Sequence, residues 1–405
     1  MTKRPFVLII VAALIALHGC TMSGSKIVTD TNKVPDNLTF PPPPEEARFY
    51  FERSIHSSND VKVDTEAEKF RRAMTGERAK GEGLAKPYGI AVNRGRMFVG
   101  DTVLKNVAVF DFPQQKFFRI GDDEDDEGHG KLALPMGLDT DKQGNLYVFD
   151  GKLKQIIVYN RDGKYLRAIG DPSTIARPAG IAVNPEGTRV YAADIGGSSS
   201  NEHRVVVFDA QTGEQVQVIG KRGTEKGEFN LPRDTAIAPD GSLYVVDSGN
   251  FRVEKFTADG KFISTFGSIG RQRGQFSRPK EAALDKNGNI YVTDAAFGNF
   301  QIFNPEGQLL LDVGSRSNGD GPAKFSLPAG IAVDEDGRVY MVDQYFRKVD
   351  IFRPASLATE DGYIGSNAIL NKDKLGKPAP AESNKLAPVT AEPAEPEPSG
   401  SGTGK

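Results

Sequence analysis

An aspartate closes an apolar run at Asp101, Asp150, Asp194, Asp247, Asp294 and Asp343. Catalysis needs one site, so a carboxylate repeated at a single position of a recurring unit reads as structural. A short acidic side chain there can accept hydrogen bonds from the backbone of the following turn. Asp122 to Glu127 form an unbroken acidic run. Carboxylates suit calcium, but this run lacks the spaced oxygen ligands and glycine of a calcium loop, and blocks of like charge are ordinarily solvated. The histidines are His18, His56, His129 and His203. They come from unrelated segments and show no spacing that would hold a metal. No Gly-x-Ser-x-Gly turn is present, which removes the usual mark of an activated serine. Two charged pairs stand apart from these groups, Arg233-Asp234 and Lys280-Glu281, each directly after a proline. No catalytic residue, metal ligand or cofactor is assigned from these patterns.

The single cysteine, Cys20, excludes an internal disulfide. Lys3 and Arg4 precede an apolar run from Phe6 to Leu17. That run is too short to span a bilayer comfortably and reads as a signal peptide. Leu17-His18-Gly19-Cys20 resembles the bacterial lipobox. His18 departs from it, since small or hydroxyl residues are usual there, while the small Gly19 fits. The resemblance implies cleavage before Cys20, acylation of its thiol and a lipid-anchored chain in the cell envelope. Thr21 is not the aspartate that retains many lipoproteins in the inner membrane, so the resemblance favours the outer membrane. The net charge of −3 becomes more negative once Lys3 and Arg4 leave with the signal. A mildly acidic body is a poor partner for nucleic acid.

The elements that position these side chains repeat along the chain. A proline before an apolar strand recurs at Pro87, Pro135, Pro178, Pro232, Pro279 and Pro328. The strand-ending aspartates advance with it, at spacings of 43–54 residues. In the fourth unit, Thr235–Ala238 is a strand turned by Asp240-Gly241, Leu243–Asp247 a second, Val253–Phe256 a third turned by Asp259-Gly260, and Lys261–Gly267 a fourth. Asp-Gly between short apolar runs is a strong hairpin signal. Four antiparallel strands in a unit of this length make a propeller blade. The sequence therefore predicts an all-β chain, a six-bladed β-propeller. The pattern of Pro-x-Gly-Ile-x-Val, then an apolar strand ending in Asp, then an Asn/Arg turn and Val-x-Val-Phe, best carried by Asp247-Ser248-Gly249-Asn250-Phe251-Arg252-Val253, resembles the NHL repeat family. Phe229, Phe276 and Phe325 recur three residues before a proline as connectors. Some members of that family are lyases with a histidine-ligated metal in the central channel, and others bind RNA. Export and acidic charge argue against RNA here.

The predicted organisation is a signal peptide at 1–19, a lipidated Pro-rich tether at 20–47, the propeller at 48–354 and a C-terminal extension at 355–405, disordered from about 371. Within it, 65–75 reads as an amphipathic helix and 196–203 as a flexible loop insertion. Blade six lacks a fourth strand after Pro354, and the orphan strand 48–55 is predicted to supply it, since a missing outer strand would leave a long exposed edge.

Four blades open with glycine after Pro-x, at Gly89, Gly137, Gly180 and Gly330, whereas blades four and five place Asp234 and Glu281 there. First strands are innermost, so Arg233, Asp234, Lys280 and Glu281 should meet at the channel mouth. Two readings stand: mutual neutralisation of equal and opposite charges, or a concave polar site for a ligand or partner. The first functional expectation is a non-enzymatic scaffold, not an enzyme, that binds another envelope protein or a ligand. The alternative is a metal-dependent enzyme of the lyase or lactonase kind, working in the channel.

Overall fold

The computed structural model describes residues 38–76, 81–197 and 200–370. Cys20, the signal segment, most of the tether and the tail from 371 lie outside the described residues. No helix among the described residues is long and apolar enough to cross a membrane.

Each unit folds into one antiparallel sheet, as blade four illustrates. Its strands are Pro232–Ile237, Leu243–Asp247, Arg252–Phe256 and Phe262–Phe266, paired in that order. The second strand is buried along its whole length, while the fourth is not. Its Leu-Tyr-Val-Val run accordingly has no alternation, because neighbouring blades cover both of its faces. Glycine-turned hairpins, such as that at Gly241 with φ +82°, take the left-handed conformation that glycine tolerates best. The first strands line the axis in ring order, with blade six against blade one. The six-bladed propeller expected from the repeats is what forms.

The strand-ending aspartates act as backbone acceptors. Asp101 accepts from Val103 and Leu104 in the following turn, at 3.0 and 2.9 Å. It also accepts from Ala85 at 2.6 Å and from Lys86. Each such aspartate thus ties the second-to-third-strand turn to the segment entering the first strand. Asp150, Asp294 and Asp343 repeat the arrangement.

The ring closes through both ends of the chain. Phe49–Ile55 pairs antiparallel with Lys348–Pro354 as the fourth strand of blade six, with Phe51 opposite Phe352 and Ile55 opposite Val349. The fully buried Arg338 donates to Glu52 on this strand at 2.8 Å. Ser54 donates to Asp350 at 2.6 Å, and Asp350 pairs with the fully buried Lys348 at 3.0 Å. A fifth strand, Thr39–Phe40, lies outside Phe49–Ile55, within the stretch read from its prolines as tether. Phe40 packs edge-on against Phe352 at 5.7 Å, and that apolar contact holds the segment to the body. Beyond Pro354, Ile364 is buried in the core shared by blades six and one.

Candidate functional site

Pro232 pairs with Asp247 across the first two strands of blade four. The proline ends of all first strands therefore lie on the same face as the turns between second and third strands. On that face Tyr88 of blade one, Arg233 of blade four and Lys280 of blade five reach over the axis. The Lys280 ammonium sits 5.6 Å from the centre of the Tyr88 ring, and the Arg233 guanidinium lies near the Tyr88 hydroxyl. Blades one and four are opposite in a ring of six, so these side chains close the mouth rather than line it.

Beneath them is a cavity of about 150 Å³. Asp234 and Glu281 stand near its upper end, Asp139 lies deeper, and Val92, Ile237, Leu284 and Val333 form the far end. Asp234 accepts from the Ala282 backbone of blade five at 2.9 Å. Its other carboxylate oxygen lies 1.8 Å from where a Cβ on Gly180 would stand. Glycine at 180 therefore makes the room that Asp234 fills. Asp139 accepts from Val183 in blade three and from Thr140, both at 2.8 Å.

The four side chains expected at the mouth, Arg233, Asp234, Lys280 and Glu281, are there. None of the ion pairs formed within 4.0 Å among the described residues joins Arg233 or Lys280 to Asp234 or Glu281. The cations turn to Tyr88 instead, and the carboxyl groups point inward. Burial dominates their titration. It pushes Glu281 up to about 8 against the opposing pull of Lys280 and Arg233. Asp234 is held well above the usual carboxylate range by burial and then by the nearby Glu281. Burial raises Asp139 to about 7, lowers Lys280 to about 8 and raises Tyr88 to about 12. Near neutral pH the site thus offers a protonated carboxyl, a phenol and a lysine close to losing its proton, beside an arginine. Such a set can bind an anionic group and exchange protons with it.

Tyr88 and Asp139 were not picked out from the sequence. Asp139 carries a legible signal, because the other five first strands have Ala91, Ala182, Ala236, Ala283 and Ala332 at the same step after the proline. Tyr88 carries none, since the position after the proline varies freely.

His56, His129 and His203 do not line the channel cavity. His203 is buried at the end of the 196–203 insertion, where its Nδ1 accepts from Leu231 at 3.1 Å and burial lowers its pKa. His56 pairs with Asp320 at 3.3 Å, and His129 stacks on Tyr165. In the acidic run, Asp125 accepts from the backbone of Glu127 and His129. No group of three or more His, Cys, Asp or Glu side chains among the described residues is arranged to hold a metal ion. The donors of the channel do not fit the histidine-ligated metal implied by the family resemblance.

Residues 229–256 match the NHL repeat. The chain is 28% identical over 148 residues to the peptidylglycine alpha-amidating monooxygenase of Rattus norvegicus, which covers 33% of this chain and 15% of that protein. It is 28% identical over 115 residues to a Caenorhabditis elegans protein named "Probable peptidyl-alpha-hydroxyglycine alpha-amidating lyase", covering 27% of this chain and 31% of that one. The chain thus spans less than a third of the length of either relative. A solved gluconolactonase from Xanthomonas campestris superposes with a TM-score of 0.50 at 16% identity, over 67% of this chain and 86% of that one, a likeness of fold alone. These relatives carry the names of enzymes, which corrects the expectation of a non-enzymatic chain. That expectation rested on the absence of a familiar catalytic motif, and a site assembled from six separate strands writes no local motif.

Proposed function

We propose that this NHL-repeat six-bladed propeller is a cell-envelope enzyme of the lyase or lactonase kind that works by proton transfer at the mouth of its axial channel. One observation carries the reading: the two blades that lack the inner-strand glycine place Asp234 and Glu281 side by side, beneath Arg233, Lys280 and Tyr88. Arg233 binds an anionic or strongly polar group of the substrate. Glu281 and Lys280 exchange its proton, and Tyr88 keeps its own proton and donates a hydrogen bond. Asp234 positions Glu281, holding the adjoining backbone through Ala282. The donor set does not fit a histidine-bound metal, so no step is routed through one. The relatives supply two substrate classes to try, peptides ending in hydroxyglycine and sugar lactones.

Glu281→Gln keeps the shape and removes the titrating carboxyl. It is expected to lower turnover about 10²–10⁴-fold, the usual contribution of a general acid or base. The parent's kcat/KM profile should show limbs near pH 8 from Glu281 and Lys280, and this variant should lose the Glu281 limb and keep that of Lys280. Full activity in a folded Glu281→Gln protein, or inactivity of the parent on both substrate classes, would overturn the reading.

We also propose that Cys20 carries the lipid and that the body works at a membrane, with the outer membrane favoured. The support is the charged start, the apolar run and Gly19-Cys20. Multiple acyl chains hold a protein stably where one does not. Cys20→Ser should release the protein from the membrane fraction or leave its signal uncleaved, and normal processing and retention would refute the assignment.

A further inference from the structure

The helix Glu66–Thr75 is built by local forces and has no residue buried against the body. The Thr65 side chain accepts from Glu68 at 3.2 Å, the Glu68 carboxylate accepts from the Thr65 backbone at 2.8 Å, and Gly76 ends the helix at φ +69°. A helix of this length is marginal on its own in water. Phe70 and Met74, four residues apart and therefore on one face, are 70% and 73% exposed, and Val63 just ahead of the helix is 54% exposed.

We propose that this helix is a second membrane contact, seating Phe70 and Met74 in the interfacial region of an anionic phospholipid bilayer. The proposal rests on the Cys20 anchor as the device that brings the chain to the bilayer. The charge pattern fits that occupant. Arg71, next to Phe70 in sequence, falls at one margin of the apolar face, where its head reaches phosphates while its stem lies along the acyl boundary, and Lys69 at the other margin offsets Glu66, which shares the face of Phe70 and Met74. The other acidic residues are engaged elsewhere: Asp64 pairs with Arg72, and Glu68 is spent on the cap.

The position fits as well. The ring-closing strand runs from Phe49, opposite Pro354, to Ile55, opposite Val349. It therefore delivers the chain to the face that carries the channel mouth. The helix leaves from that face, and Ser57 pairing with Gly83 brings the chain back to it. The chain between Cys20 and Leu38 can extend at most about 60 Å, several times the length of a blade strand, so an anchor entering at the opposite face still allows the mouth face to meet the membrane. So small an apolar face binds weakly by itself. It acts because the anchor raises its effective concentration at the surface, and its consequence is orientation, with the channel mouth turned toward the bilayer.

The sequence contains no tryptophan, so Phe70→Trp gives a single reporter in the full chain. In vesicles containing phosphatidylglycerol and brominated acyl chains, its emission should shift to the blue and be quenched. Ile263→Trp, on the outer strand of blade four where Ile263 is 46% exposed, should keep its emission. Lys69→Gln with Arg71→Gln should remove the quenching at position 70 on these vesicles. Flotation reads the anchor separately. If the chain is not acylated, the same emission is read on the soluble chain at excess lipid, and quenching there upholds the helix while the anchor falls. Emission of the Phe70→Trp chain that stays unshifted and unquenched in either setting overturns the proposal. A blue shift that grows with protein concentration in the absence of lipid also overturns it, because a second copy of the chain would then be what covers the face.

Discussion

Glu254 shows how one atom can expose a protonation state. It lies fully buried on the third strand of blade four, where one carboxylate oxygen pairs with Arg252 at 3.1 Å and accepts from Gly227 at 3.3 Å, and the other has no partner. In blade five the same register holds Gln301, which accepts from Gly274 at 2.7 Å and donates its amide to the Gln275 carbonyl at 2.8 Å. In blade four the counterpart of that carbonyl, Glu228, accepts instead from Arg252 at 2.8 Å. Burial raises Glu254 to about 7 against the opposing pull of Arg252. A carboxyl whose pKa is raised by folding loses stability as pH climbs through that value. Glu254→Gln removes the titrating group, so it is expected to flatten the fall of melting temperature between pH 5 and pH 8. Thermal melting across that range measures this, and an unchanged slope would contradict the assignment. At the channel, Asp234 was legible because glycine stood in its place in four other blades. Its fit against Gly180 was not legible, since that depends on how closely two blades approach.

At the scale of elements, the ring-closing strand is the critical one. Its presence could be read from a count, because blade six lacked a strand and 48–55 had no other place. Its fastening could not. Arg338 is fully buried, and Glu52 on the closing strand is its nearest carboxylate partner. Removing one member of a buried pair costs about 3–5 kcal/mol where the other charge is left uncompensated, and here Asp336, 3.4 Å from Arg338, retains part of that compensation. Glu52→Ala should therefore lower the unfolding free energy by no more than that in a denaturant titration, and Glu52→Gln, which keeps an acceptor, by less. A loss below about 1 kcal/mol for Glu52→Ala would show that water reaches Arg338 and that the strand is held by packing alone. The short strand Thr39–Phe40 escaped the sequence because its prolines read as tether. Tertiary contact with Phe352 outweighs that local signal.

For the whole molecule, the buried carboxyl groups set a direction of pH dependence. Burial raises Asp139 and Asp334 to about 7, Glu281 to about 8 and Asp247 to about 6, whereas the unfolded chain releases these protons near pH 4. Between those limits the folded state binds more protons than the unfolded one, so stability falls as pH rises. Lys280, lowered to about 8, acts with the opposite sign but only above that pH. The melting temperature is expected to drop from pH 5 to pH 8, and the slope to flatten in an Asp139→Asn, Glu281→Gln double variant. A midpoint that rises across this range would show that the channel carboxyls are ionised in the fold.

The sequence by itself determined the number of blades, the strands in each, the aspartate acceptors and the strand that closes the ring, because all of these follow from local periodicity repeated six times. It also picked out Arg233, Asp234, Lys280 and Glu281, since a departure from a repeat is visible wherever the repeat is. Only the tertiary structure decided what those residues do. Tyr88 and Arg233 are 145 positions apart in the chain and meet because opposite blades face each other across a narrow axis. The titration of the site follows from burial at that axis. Distance across a ring and depth from solvent are properties of the closed fold, and no stretch of sequence encodes them locally.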